Sequence, residues 1–190
     1  MGFPKPLLNL GSRTFIETLA AAMLASSSRL IIVLGAYAEA VRRAIPSDPR
    51  ITIVENPDYS RGQLSSIKVA LPCIEPAAVA ALIHLADHPM VRPETFRALI
   101  DTYRVSHSPI TVARYQGRRG HPVVFARAIF PELAHAPEDQ GARAVLVANS
   151  SRVAYVDVDD PGILIDLDTP EDLQRAGVEL PRGLKIESRR

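Results

Sequence analysis

Tryptophan is absent from this 190-residue chain, cysteine occurs once, at Cys73, and aromatic residues make up only 5%. A single cysteine excludes an intrachain disulfide and any paired-cysteine zinc motif, and it suits a reducing compartment. Cys73 itself reads as a small buried hydrophobe. Neither sign of charge dominates, since 22 Lys and Arg against 21 Asp and Glu leave a formal charge of +1. Short basic pairs such as Arg118-Arg119 and Arg189-Arg190 fall short of the electrostatic footprint of a nucleic-acid binder, so no nucleic-acid partner is expected. Long apolar runs are missing as well: the stretches around Leu19 to Ala25 and Ala77 to Leu85 are too short to cross a bilayer. Met1 to Leu10 holds two prolines where a signal peptide needs an unbroken apolar core, and Pro6 stands where N-myristoylation requires Ser or Thr. The expectation is a cytoplasmic protein with no membrane partner. A Walker loop and a nucleophile elbow are also lacking, which removes support from those enzyme classes.

What is present is a 47% hydrophobic fraction built on aliphatic residues and alanine, punctuated by 16 prolines. That composition suits one loop-rich α/β domain over residues 1–190. Thr14-Phe15-Ile16-Glu17 is a capping-box pattern, predicting a helix to about Ala25. Short apolar runs at Arg29 to Leu34, Ile51 to Glu55, Val79 to Leu85, Ile110 to Tyr115, Val123 to Phe125 and Val153 to Val158 predict strands. Helices are predicted over Ala36 to Ile45, from Gln63, from Pro93 with Phe96, Leu99, Ile100 and Tyr103 on one face, from about Gln140 to Val147 with Asp139 as cap, and after Thr169 with Pro170 in first position. The polar segment Gly117 to Pro122 reads as a flap-like loop. Alternating strands and helices predict a three-layer sandwich around a largely parallel sheet.

Two acid clusters stand out against this pattern. The apolar run from Leu82 ends in Asp87-His88-Pro89, and the run Gly162 to Ile165 ends in Asp166-Leu167-Asp168-Thr169-Pro170-Glu171-Asp172. Ligands of open α/β sheets gather beyond the carboxyl ends of strands. Mg²⁺ needs only one or two carboxylates beside substrate phosphates, so Asp87 with one late aspartate would suffice. Asp87 could equally open a turn before Pro89. His84 and His88 are four apart, but strand-like composition argues against a helical metal pair and makes His84 a core or strand residue.

The string Met1 to Leu8, Gly62-Gln63-Leu64-Ser65-Ser66, Asp87-His88-Pro89, Gly120-His121-Pro122, Asp139-Gln140-Gly141-Ala142-Arg143 and Asp168-Thr169-Pro170-Glu171-Asp172 together resemble the MobA-like nucleotidyltransferase family. Their order is most similar to the molybdenum cofactor cytidylyltransferase branch. The resemblance implies a Rossmann-like nucleotidyltransferase fold and Mg²⁺-dependent transfer of a nucleoside monophosphate, CMP from CTP rather than GTP, to a molybdopterin-type acceptor with release of pyrophosphate. A molybdoenzyme client is the implied protein partner. The family pattern assigns Lys5 and Asp87 to catalysis, and Lys5, Gly62, Gln63, Ser65 and Ser66 to the nucleotide. Arg119, His121, Gln140 and Arg143 would face the acceptor. Asp87 and Asp168 would be the metal ligands, with Asp166 competing for the second place. The family's first strand and its glycine-rich triphosphate loop have no counterpart in this sequence, so the domain is expected to be N-terminally incomplete, and a lone Lys5 does not replace a nest of backbone N–H groups. Two alternatives stay open: a sugar-phosphate acceptor, and a non-catalytic cofactor-binding or maturation module.

Overall fold

Thr14 opens the first helix as its neighbours predict. Its Oγ1 accepts a hydrogen bond from Glu17 N at 3.3 Å while Glu17 Oε2 accepts from Thr14 N at 2.8 Å, closing the capping box. The computed structural model describes residues 3–178; Met1, which the family resemblance places on an internal methionine of the signature, lies outside the described residues. A short hairpin of β1 (Asn9–Leu10) and β2 (Arg13–Thr14) leads into α1 (Phe15–Leu24). Then follow β3 (Leu30–Leu34), α2 (Ala38–Ala44), β4 (Ile51–Glu55), α3 (Gln63–Ala70), β5 (Ala80–Ile83) and α4 (Pro93–Ser106). The chain continues through β6 (Ile110–Tyr115), β7 (Arg118–Ala126), α5 (Phe130–His135), α6 (Ala142–Ala148), β8 (Val153–Asp157) and α7 (Pro170–Arg175).

The architecture is an α/β sandwich, and alternation along the strands shows its layers. On β7, Val123 and Phe125 pack with Leu64 and Ile67 of α3 and Leu133 of α5, whereas Val124 between them packs with Phe96 and Leu99 of α4. On β6, Ile110 and Val112 join the first group and Ala113 the second. Helices therefore cover both faces. The four-stranded sheet has the order β5-β7-β6-β8. It is mixed, because Ile110 to Ala126 folds back as a hairpin: β7 runs antiparallel to β5 and β6, and β8 parallel to β6.

β3 and β4 form a separate parallel pair. Among the described residues, β3 pairs only with β4 and β5 only with β7, leaving one edge of each without a strand partner. All four residues of β5 are half-buried, in keeping with an open edge. Helix α1 holds the two sheets together, Ile16 and Ala20 packing on β3 while Leu19 and Ala22 pack into the larger core. Burial of a side chain such as Phe15, Phe96 or Leu99, each no more than 1% exposed, contributes about 2–3 kcal/mol.

Several sequence expectations are corrected. The presumed loop 117–122 is mostly strand: the turn is confined to Gln116 and Gly117, both at positive φ (48° and 76°), as a tight hairpin requires. The ladder pairs Val112 with Val123 and Arg114 with Arg119, a bulge that absorbs Gly120, His121 and Pro122 opposite Ala113. Glycine and proline inside a strand mark such bulges, and here they read as a loop. Asp139 caps no helix, since α6 begins at Ala142 with Gly141 (φ 65°) before it. The run Gly162 to Ile165 is no strand but part of a 3₁₀ turn, Pro161–Leu164, capped by Asp160. Cys73 is exposed, not buried.

Candidate active site

The chain after β5 and the segment 160–167 are locked to each other by polar contacts. Asp160, 2% exposed, accepts from Arg92 N at 2.9 Å and Thr95 Oγ1 at 2.6 Å through Oδ2, and from Gly162 N at 2.9 Å through Oδ1. Leu167 N donates to the carbonyl of Asp87 at 3.1 Å. Two glycines permit the close approach. A Cβ on Gly162 would stand 2.4 Å from Met90 O, and one on Gly120 would stand 2.2 Å from Ile163 O, so neither place admits a side chain. Asp87 and Asp166, 79 residues apart in sequence, are neighbours by this construction.

Donor atoms of Asp87, His88 and Asp166 all lie within 4.8 Å of one another. Asp87 Oδ1 is sealed from solvent and has no hydrogen-bond partner among the described residues, an arrangement that costs free energy unless a cation completes it. Burial and the neighbouring Asp87 charge raise the Asp166 carboxyl above its ordinary range, against the lowering influence of His88 and Lys5. Two crowded carboxylates with an imidazole beside them fit a divalent cation. Asp168 is not in this group: its Oδ1 forms an ion pair with Lys5 Nζ. Leu167, fully buried between the two acids, packs with Leu8 and Leu173, and this cluster brings the Lys5 turn alongside the acids. The structure thus brings Asp87 together with Asp166 and Lys5 together with Asp168.

Three histidines adjoin the acids. The ring of His88 lies 6.3 Å from His84 and 5.7 Å from His121, centroid to centroid. His84 Nε2 donates to the His88 carbonyl at 3.0 Å, which requires the Nε2–H tautomer. Burial pushes the His84 imidazole down to about 3, opposed by that hydrogen bond and aided by His121 and His88. Burial also lowers His121. The sign of the pH dependence follows. In the unfolded chain His84 takes up a proton below about 6.5, whereas the folded state refuses it until about 3, so stability is full above the upper value and drains away as pH falls through that window. Urea unfolding should show a loss of about 2 kcal/mol from this residue between pH 7 and pH 5, and His84→Gln should flatten the slope; an unchanged slope counts against a buried neutral imidazole.

A family model described as MobA-like NTP transferase domain matches residues 1–153. The chain belongs to this family. It is 26% identical over 172 residues to molybdenum cofactor cytidylyltransferase of Escherichia coli K12, covering 90% of this chain and 86% of that protein. Its fold is similar to the crystal structure of Rv0371c from Mycobacterium tuberculosis H37Rv, with TM-score 0.79, 35% identity and coverage of 93% and 89% of the two chains. A second Rv0371c structure, a complex with manganese, aligns with TM-score 0.76 and 34% identity over 92% of each chain.

The remaining residues expected from the MobA-like pattern fall into other places. Gly62 (φ 103°) and Gln63 are exposed at the start of α3. Ser65 is buried, its Oγ donating to Gly62 O at 2.7 Å, and Ser66 is half-buried. Both serines accept from Asn56 Nδ2, at 2.8 and 3.0 Å. Asn56, 2% exposed, also bonds Leu34 O through its own N–H at 2.7 Å and accepts from Asp58 N. It pins the MobA-like serine motif to the ends of β3 and β4, a role the sequence reading missed because Asn56-Pro57-Asp58 reads only as a turn. Gln140, in the loop before α6, and Arg143, in the first turn of α6, are exposed, and Glu138 ties that loop to the α3 region by bridging Arg61 at 2.6 Å and Lys68 at 3.5 Å. Arg119 is exposed on β7. His121 joins the histidines beside Asp87. No helix among the described residues is long and apolar enough to cross a membrane.

Proposed function

We propose that this protein transfers a nucleoside monophosphate, CMP from CTP, to the terminal phosphate of a molybdopterin-type acceptor and releases pyrophosphate. The observation that carries this reading is the convergence of Asp87, His88 and Asp166 beyond β5, in a MobA-like chain colinear with a molybdenum cofactor cytidylyltransferase over most of its length. An acceptor phosphate oxygen attacks the α-phosphorus, the bond to the bridging oxygen breaks, and pyrophosphate leaves with its charge. Little covalent work falls to the protein, so positioning and charge neutralisation carry the catalysis.

Asp87 and Asp166 would hold a divalent cation, Mg²⁺ or a chemical relative, which supplies charge stabilisation to the phosphates when bound. Lys5, already at the acid cluster through Asp168, supplies a compact positive charge to the triphosphate once a phosphate oxygen replaces that carboxylate. Gly62 and Gln63, with Ser66, offer backbone and side-chain donors to base and ribose, and Asn56 keeps that edge in register. Arg119, Gln140 and Arg143 suit recognition of the acceptor's phosphate, where guanidinium forks bind phosphate oxygens in pairs. His121 lines the reaction end of the site instead.

The test is pyrophosphate release by the purified protein supplied with a divalent cation, a molybdopterin-type acceptor, and CTP, GTP or ATP in turn. CTP is expected to give the largest kcat/KM. Release from GTP alone would reassign the base, release only with a sugar phosphate would reassign the acceptor, and no release with any triphosphate would leave a binding or maturation module as the better description.

A further inference from the structure

His88 is a buried polar side chain beside the two acids, 8% exposed. Among the described residues Nδ1 is sealed from solvent without a partner, and Nε2 stands 3.9 Å from Asp87 Oδ1, an oxygen that is likewise buried and without a partner among them. A ring buried with no hydrogen bond to protein among the described residues is costly, and an apolar residue of similar size would avoid the cost. His84, through its bond to the His88 carbonyl, holds the backbone that carries both Asp87 and His88. Octahedral bonds of about 2.1 Å place neighbouring ligands about 3 Å apart and opposite ones about 4 Å apart, so the 3.9 Å separation needs little adjustment to span an ion.

We propose that His88 is a direct ligand of the cation held by Asp87 and Asp166, and that its nitrogen makes the site select Mn²⁺ over Mg²⁺. This rests on the proposed cation site but goes beyond it, since an all-oxygen site would serve nucleotidyl transfer equally well. The reasoning is donor chemistry. Mg²⁺ is a hard cation that keeps oxygen ligands and waters, while imidazole suits first-row transition ions, of which Mn²⁺ also accepts carboxylate oxygens. Two carboxylates and one imidazole match Mn²⁺ better than they match Mg²⁺.

The experiment uses the full chain and metal alone, without nucleotide. Mn²⁺ is titrated into the protein while the free-ion electron paramagnetic resonance signal is followed, and Mg²⁺ affinity is read by competition. Wild type is expected to bind Mn²⁺ at least tenfold tighter than Mg²⁺. In His88→Ala, Mn²⁺ affinity should fall at least tenfold while Mg²⁺ affinity moves less than threefold, so that the preference is lost. A direct signature needs no mutation: electron spin-echo modulation of bound Mn²⁺ should show a coupled ¹⁴N that becomes ¹⁵N when the protein is made with ¹⁵N-histidine. His84→Gln, which leaves the candidate ligand in place, should retain the coupling. Asp87→Asn separates the two readings. If it abolishes binding of both ions while the wild-type spectrum lacks nitrogen coupling, the cation site stands and the His88 assignment falls. If wild type binds neither ion at millimolar concentration, the site itself falls.

Discussion

Asp87→Asn is expected to lower nucleotidyl transfer by about 10³-fold, equivalent to about 4 kcal/mol of transition-state stabilisation, with little change in fold. Asparagine keeps the shape of the side chain but removes the charge that would hold a cation against phosphate oxygens. The sealed Oδ1 of Asp87, with no protein partner among the described residues, makes this substitution structurally mild, because no native hydrogen bond to that oxygen is lost. Removing its charge also relieves the repulsion that raises the Asp166 carboxyl, so apo stability at neutral pH should stay level or rise. Pyrophosphate release and urea unfolding of the same preparation check both halves. Full activity, or a stability loss large enough to explain the activity loss, would remove Asp87 from the chemistry.

Asp160→Ala is expected to have the opposite profile, costing about 4 kcal/mol of stability. The carboxylate accepts from three donors, Arg92 N, Thr95 Oγ1 and Gly162 N, and Thr95 and Gly162 are buried. Truncation leaves those donors without an acceptor in a place where water cannot easily substitute. The same contacts fasten the segment carrying Asp166 to the start of α4, so cation affinity should weaken along with the fold. Thr95→Val tests the argument from the other side. It removes one donor together with its need, costs about 1 kcal/mol, and makes Asp160→Ala less damaging in the double variant. Additive effects in denaturant melts would mean that the pair is not coupled.

These two aspartates show where sequence reasoning succeeds and where it stops. Asp87 was legible because it follows an apolar run and precedes proline, a local pattern with a known meaning at strand ends. Asp160 lay inside Asp159-Asp160-Pro161-Gly162, which reads as an ordinary turn, and its three partners include two at sequence distances of 65 and 68. The choice between Asp166 and Asp168 was likewise out of reach. Both acids flank Leu167, and which one meets Asp87 depends on how that leucine enters the core with Leu8 and Leu173. Asn56 was hidden for the same reason, its bonds to Ser65 and Ser66 being made across a loop.

Local patterns by themselves determined the capping box at Thr14, the helix start at Thr169, the α4 face containing Phe96 and Leu99, the alternation of helices with strands, and the motif order of a MobA-like chain. Each depends on residues within a few positions of one another, where backbone sterics and apolar periodicity act directly. Tertiary structure alone decided that residues 118–122 belong to a bulged strand, that Asp166 joins Asp87 and His88 while Asp168 joins Lys5, and that three histidines share one end of the sheet. Those outcomes turn on close approaches such as Gly120 against Ile163 and Gly162 against Met90, and a close approach is a property of two distant segments together, written in neither one.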